Sequence, residues 1–328
     1  MKAVYIREFG ELDNLEIRDV PEPPKPTGTK VLVRVRAAGL NRADLLQVKG
    51  HYPAPVGYSS YIPGLEFSGE VVEVGDAVSA FKPGDRVMAI TAGEAQAEFV
   101  LTDAAVLARI PENLSFTDAA AIPEAFITAH DAVFTQSNLA AGETLLVHAV
   151  GSGVGLAALQ MANAAGAKVI GTSRTADKLE RCKEFGLDLG IVAGPEPDFA
   201  KAVQEATDGR GANVICDLVG ASYFKENLAS AALKGRIILV GLTGGATAEF
   251  NLGVALAKRL TIRGTVLRAR SVEEKAAATN AFADFAGPHF ANGSMRPTVD
   301  KAFPADDVRE AYRHLASNAS FGKVVLEF

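Results

Sequence analysis

The sequence predicts an α/β protein of two domains, a β-rich barrel-like domain first and a doubly wound parallel sheet after it. Before about Thr117 the apolar residues alternate within short strands broken by Gly and Pro. From there on, strand-length apolar runs alternate with helical stretches. A chain of 328 residues also exceeds what a single hydrophobic core usually organises.

In KVLVRVRAAGL (residues 30–40), Val31, Val33 and Val35 fall on one face and Arg34 and Arg36 on the other, as in a half-buried strand. GEVVEVGDAV and GDRVMAI add short strands, interrupted at Gly75 and at Pro83-Gly84. PEPPKPTGT, residues 21–29, carries too many prolines for a helix. Later, TLLVHAV, KVIGT, NVICDLV, RIILVGL and LTIRGT have strand length, with helical stretches such as TADKLERCKEF and DFAKAVQEATD between them. That alternation builds a parallel sheet with helices on both faces. A helix over 271–285, another around 307–317 and the strand GKVVLEF read as a return to the first domain. The expected division is 1–122, 123–267 and 268–328.

A formal net charge of −6 argues against nucleic acid or an anionic membrane as the partner. Cys182 and Cys216 are too few for a disulfide framework or a thiolate zinc site, which suits a reducing, cytoplasmic setting. MKAVYIREFGELDN has no apolar signal core and no apolar run approaches spanning length, so a soluble protein is expected. His51, His130, His148, His289 and His314 show no ligand spacing and read as structural or surface residues.

The six positions ending at Gly155 read Val150-Gly151-Ser152-Gly153-Val154-Gly155, a degenerate G-x-G-x-x-G with valine at the first glycine position. Gly153-Val154-Gly155 opens a helix whose Ala157, Ala158, Ala162 and Ala165 allow close approach to the strand. Its first amides are then available to a pyrophosphate, with the tight turn expected at Ser152-Gly153. A nucleophile elbow fails because Val150 and Val154 occupy its glycine positions around Ser152. The next strand ends at Ser173, where an NAD-selective site would carry a carboxylate. Arg174 and Lys178 follow instead, so NADPH is the expected cofactor.

AAGLNRADLLQVKGHYP, PGLEFSGEVVEVGDAVSAFKPGDRVMAI, IPEAFITAHDAV, GSGVGLAALQMANAAGAKVIGTSR and GRIILVG together resemble the medium-chain dehydrogenase/reductase superfamily. Within it they resemble the zinc-free quinone oxidoreductases related to zeta-crystallin. LNRADLLQ, IPEAFITA, GTVLRAR and GKVVLEF are most similar to the p53-inducible subgroup. The resemblance runs nearly the whole length. It implies a GroES-like catalytic domain, a Rossmann cofactor domain, an active-site cleft between them, and a homodimer. Zinc-dependent members carry a cysteine near position 41 and a histidine near 65; Asn41 and Leu65 stand here, and no metal is expected.

The resemblance places Asn41 and Tyr52 near the nicotinamide and substrate, and Thr128 against the nicotinamide. It places Ser152, Gly153, Val154 and Gly155 at the pyrophosphate, and Ser173 and Lys178 at the 2′-phosphate. Gly241, Thr243 and Leu267 fall near the nicotinamide. Val192-Ala193 stand where relatives have Asn-Tyr, the tyrosine flanking the adenine side, so adenine packing must be supplied differently.

The expected chemistry is metal-free transfer of reducing equivalents from NADPH to a quinone or activated alkene. Tyr52 is the candidate donor to the oxygen that gathers charge, with a pocket-wall role left open and Tyr58 and Tyr61 as replacements in the same loop. Asn41 would orient the acceptor or the nicotinamide ribose. Asp44 and Glu66 read as structural, one capping a helix and one bonding within the barrel. Two alternatives stay open: a reductase of α,β-unsaturated carbonyls or enoyl thioesters, and a non-catalytic NADPH-binding sensor or structural protein.

Overall fold

The computed structural model describes residues 1–194 and 196–328. The chain forms two units, Met1–Ile127 with Leu267–Phe328, and Thr128–Val266. The crossings fall at 127/128 and 266/267 rather than at 122/123 and 267/268, because the wide-turn helix Pro123–Ile127 packs on strands of the first unit.

In the first unit the long strand Lys30–Leu40 is the hub. It pairs antiparallel with Glu66–Val74, with Phe99–Asp103 and with the C-terminal strand Lys323–Glu327. Arg86–Ile90 and Leu107–Arg109 extend the sheet on one side, and Val299–Pro304 adds parallel to Lys323–Glu327 on the other. Val31, Val33 and Val35 are at most 2% exposed while Arg34 and Arg36 face solvent. Each buried valine contributes about 1.5–3 kcal/mol relative to an exposed one.

The alternation stops at a register shift between Val35 and Ala37, after which Ala37, Ala38, Gly39 and Leu40 are all buried. A Cβ on Gly39 would stand 2.4 Å from Glu66 Oε1 and 2.5 Å from the Ala120 carbonyl oxygen. The end of this strand therefore lies against Glu66 only because residue 39 has no side chain. The long helix Val272–Ala291 starts in a Ser271/Glu274 capping box and runs past the expected end at 285, through Pro288. Phe290 keeps the extra turns in place: it is buried against Phe126 and Phe282, and its carbonyl accepts from Asn113 Nδ2 at 3.0 Å.

The second unit holds six parallel strands in the spatial order Leu189–Val192, Lys168–Ser173, Thr144–Val147, Ala212–Asp217, Ala231–Leu239, Thr261–Gly264. Counted along the chain this is 3-2-1-4-5-6, the doubly wound order that reverses between its first and fourth strands. Ligands of such sheets bind beyond the carboxyl ends of the strands at that reversal.

Candidate active site

The loop after Thr144–Val147 leaves the sheet at the reversal. Its tight turn spans Ala149 to Ser152, around Val150-Gly151 and ahead of Ser152-Gly153, and its left-handed residue is not a glycine. Ala149 adopts the left-handed conformation at φ +49°, and the Ser152 N–H donates to the Ala149 carbonyl at 2.9 Å. Ser152 instead caps the helix Gly153–Ala164, its Oγ accepting from the Gly155 N–H at 3.2 Å. The N–H groups of Gly153 and Val154 precede any acceptor within the helix. A Cβ on Gly155 would stand 2.5 Å from the Ala149 carbonyl oxygen and 2.7 Å from Val150 Cα, so this glycine lets the helix sit on the turn.

A buried chain of hydrogen bonds ties the neighbouring strand ends together. Thr172 Oγ1 lies 2.9 Å from His148 Nδ1, His148 Nε2 lies 2.6 Å from Asn227 Oδ1, and Asn227 Nδ2 donates to Asp217 Oδ2 at 2.9 Å. Asp217 Oδ1 accepts from the N–H groups of Val219 and Gly220, both at 2.8 Å. Burial pushes the His148 imidazole down, so it sits neutral.

Gly241 joins this edge through its N–H to the Asp217 carbonyl at 3.2 Å, and Thr243 Oγ1 donates to the Leu218 carbonyl at 3.2 Å. Thr128, partly exposed, opens the short helix Thr128–His130. Ser173 ends its strand almost buried, followed by exposed Arg174 and, in the next helix, by Lys178. The nearby Asp177 carboxyl is held below its usual range, chiefly by the Thr175 hydroxyl. Ala193 is buried and its carbonyl accepts from Tyr223 Oη at 2.8 Å.

Asn41, Tyr52 and Leu267 lie in the first unit. Asn41 caps the helix Arg42–Val48, its N–H donating to Asp44 Oδ2 at 2.7 Å. Its side chain is committed elsewhere: Nδ2 donates to Glu66 Oε1 at 2.9 Å and Oδ1 accepts from Lys323 Nζ at 2.6 Å. Orienting an acceptor was the expected role of this amide; both of its ends are instead spent on neighbours.

Lys323 also donates to the Leu40 carbonyl at 2.7 Å and pairs with Glu66 Oε1 at 2.6 Å, its side chain 6% exposed and that of Glu66 0%. Glu66 Oε2 accepts from the Glu124 main-chain N–H at 2.8 Å. Glu66 is thus the partner of a buried ammonium as well as a structural acceptor. Burial pushes the Asp44 carboxyl up to about 6 against the opposing Asn41 N–H bond and the Lys323 charge. Burial, followed by the Glu66 charge, pushes Glu124 up to about 8.

Arg268 holds Tyr52. It is 5% exposed and donates to the Ala92 carbonyl at 2.8 Å, the Tyr52 carbonyl at 3.0 Å and Gln47 Oε1 at 2.6 Å. Its guanidinium carbon lies 4.8 Å from the centre of the Tyr52 ring. Burial raises the Tyr52 phenol, with Arg268 opposing, so it remains a neutral donor. Tyr61, by contrast, is stacked on Tyr5 and Phe9. Buried Leu267 precedes Arg268 in the chain.

Lys323, Glu124 and Arg268 escaped the sequence reading. Each gave one faint signal, a charge within or at the edge of a largely apolar run: GKVVLEF, IPEAF and GTVLR.

These residues do not fit a zinc ion. Leu65 is a buried hydrocarbon, Asn41 has no uncommitted end, and an ammonium stands 2.6 Å from its oxygen. Among the described residues no group of three or more His, Cys, Asp or Glu could hold a metal.

Residues 27–131 match the alcohol dehydrogenase GroES-like domain family, and residues 153–283 the zinc-binding dehydrogenase family. A quinone oxidoreductase-like protein 2 homolog of Nematostella vectensis is 35% identical over 99% of this chain and 88% of its own. The structure of mycobacterial Rv1454c complexed with NADPH superposes with a TM-score of 0.88 at 29% identity, covering all of both chains. CurK enoyl reductase superposes at 0.87 with 25% identity, over 99% of this chain and 98% of that one.

Proposed function

Because the chain belongs to the medium-chain dehydrogenase/reductase superfamily, we propose that it is a zinc-independent reductase that uses NADPH to reduce quinones. The observation that carries the reading is the Asn41–Glu66–Lys323 network. A buried ammonium with saturated partners leaves no ligand set for a Lewis acid. The acceptor must then be electrophilic enough to take a hydride unaided, as quinones and conjugated carbonyls are.

Bound NADPH would supply the hydride. The Gly153 and Val154 amides and the Ser152 cap suit its pyrophosphate, with Gly155 providing the close approach. Arg174, Lys178 and Ser173 suit the 2′-phosphate, which supports NADPH over NADH. Thr128, Gly241, Thr243 and Leu267 are assigned to the nicotinamide. Tyr52, whose hydroxyl has no hydrogen-bond partner among the described residues, is assigned to the acceptor oxygen. Asn41 acts as a positioning residue that fixes Lys323 and Glu66.

A homodimer is the assembly we assign. The edge strand Thr261–Gly264 is largely open, and Leu252, Leu256 and Val266 nearby are exposed, as a strand awaiting a partner would leave them. No helix among the described residues is long and apolar enough to cross a membrane. Both cysteines are buried free thiols pushed up to about 12 by burial, which suits a reducing compartment such as the cytoplasm.

The likeness to CurK enoyl reductase keeps a second reading, reduction of enoyl thioesters or 2-alkenals. Oxidation of NADPH by purified protein with 1,2-naphthoquinone, a 2-alkenal and an enoyl thioester separates the two. Turnover with the quinone is expected. Turnover with the alkenes alone would move the assignment to an alkene reductase, and NADPH binding without any turnover would leave a sensor or structural protein.

A further inference from the structure

Reduction of a quinone or an enone takes up a hydride and a proton, and the proton needs its own source. Tyr52 is a poor one, because a phenol raised above its ordinary value donates a hydrogen bond but holds its proton. The other carboxylates of the first unit's network are spent. Glu66 gives Oε1 to Lys323 and Asn41 and Oε2 to the Glu124 N–H. Asp44 gives Oδ2 to the Asn41 N–H and Oδ1 to the Gly64 N–H at 3.2 Å.

Glu124 is different. Its main chain is pinned at 2.8 Å to Glu66, in the first turn of the wide-turn helix Pro123–Ile127, a helix form often found at functional sites. Its carboxyl makes no hydrogen bond and no ion pair among the described residues; protein encloses most of the residue, yet some of its surface stays in contact with solvent. The charges acting on it are Glu66, Lys323, Asp44 and Arg268, with Lys275 of the helix Val272–Ala291 and the Tyr52 phenol in its field as well. Burial and Glu66 dominate, Asp44 adds to them, and Lys323 and Arg268 oppose; a value of about 8 leaves a carboxylic acid at neutral pH.

We propose that Glu124 is the general acid of this reaction, the group that delivers the proton completing reduction of the acceptor. The inference rests on the reductase reading above. The Glu124 O–H bond breaks and a new O–H bond forms on the acceptor oxygen that has gathered negative charge. Glu124 is left as a carboxylate, softened by the nearby Lys323 charge, and water returns its proton. The acceptor gains two electrons and two hydrogens, one as the hydride NADPH loses and one from Glu124. Tyr52 holds the oxygen by a hydrogen bond and keeps its own proton.

Glu124→Gln keeps the shape and removes the acid. A carboxyl raised in the folded state penalises that state increasingly between its unfolded value, near 4.5, and about 8. The variant is therefore expected to be no less stable than the wild type at pH 8, and it can be assayed as a folded protein.

With 1,2-naphthoquinone, its kcat should fall about 100-fold, the usual worth of a positioned acid, with little change in KM for NADPH. Wild-type kcat should decline as pH rises through about 8, and that limb should be missing from E124Q. Infrared difference spectra give a readout apart from turnover. A protonated-carboxylic-acid carbonyl band should be present at pH 7, fade through the same pH range, and be absent from E124Q. Wild-type-like kcat in E124Q, an alkaline limb that survives the substitution, or an unchanged band would each overturn the inference. If the wild type itself reduces neither quinones nor enones, the reductase reading fails first and this inference with it. Wild-type turnover that E124Q retains overturns this inference alone.

Discussion

Replacing Lys323 by methionine removes one buried ammonium and leaves all its partners in place. Those partners are the Leu40 carbonyl at 2.7 Å, Asn41 Oδ1 at 2.6 Å and Glu66 Oε1 at 2.6 Å, around a side chain 6% exposed. Glu66, with no exposure, cannot recover hydration, and deleting one member of such a pair costs about 3–5 kcal/mol. For a unit of this size each kcal/mol moves the melting temperature by roughly 2–4 °C, so a loss of about 6–20 °C is expected. Glu66→Gln in the same chain removes the stranded charge and should recover much of the loss. Urea unfolding of the wild type, both single variants and the double variant at pH 7 measures the coupling directly. Strict additivity of the two substitutions, or a cost for Lys323→Met below about 1 kcal/mol as in an exposed pair, would refute the description of this network as a buried, mutually dependent set. The same substitution removes a charge that pulls Glu124 down, so the alkaline limb of the pH–rate profile should move to higher pH.

Gly155→Ala places a Cβ 2.5 Å from the Ala149 carbonyl oxygen and forces the helix off the turn. Fluorescence titration should show NADPH affinity falling at least about tenfold, or roughly 1.4 kcal/mol, and unaltered affinity would remove Gly155 from the cofactor site. Arg174→Ala deletes a charged hydrogen bond worth about 1.5–3 kcal/mol, so the NADPH-over-NADH ratio of kcat/KM should drop about 10- to 100-fold. An unchanged ratio would assign the 2′-phosphate to other residues. Tyr52→Phe should lower kcat for quinones more than it raises KM for NADPH; an unchanged kcat reduces Tyr52 to a pocket wall.

Five of the six strands of the second unit were legible, each an apolar run bounded by polar or glycine-containing segments; Leu189–Val192 was not, because it is four residues long and only partly buried. The alternation with helices announced the parallel sheet, while the 3-2-1-4-5-6 order came from the structure. The weak strands of the first unit were not legible: Leu107–Arg109 has three residues, and Val299–Pro304 carries only intermittent burial. The cofactor loop could be located but not drawn. Its left-handed residue is Ala149, and alanine gives no sign of that conformation.

The polar network was least visible because its members lie far apart in the chain. Glu66 meets Asn41 across 25 residues and Glu124 across 58, and Lys323 meets Asn41 across 282. In isolation, Lys323 reads as a surface lysine and Glu124 as an acid at a helix start. Both are drawn inward only when Lys323–Glu327 pairs with Lys30–Leu40 and Gly39 admits Glu66 beside it.

Metal-free reduction of the acceptor is checked by following NADPH oxidation by 1,2-naphthoquinone before and after exhaustive chelation, with zinc content measured on the same samples. Turnover that is undiminished in protein holding far less than one zinc per chain is the predicted result. Turnover that falls in proportion to zinc removed, and returns when zinc is restored, would contradict the account.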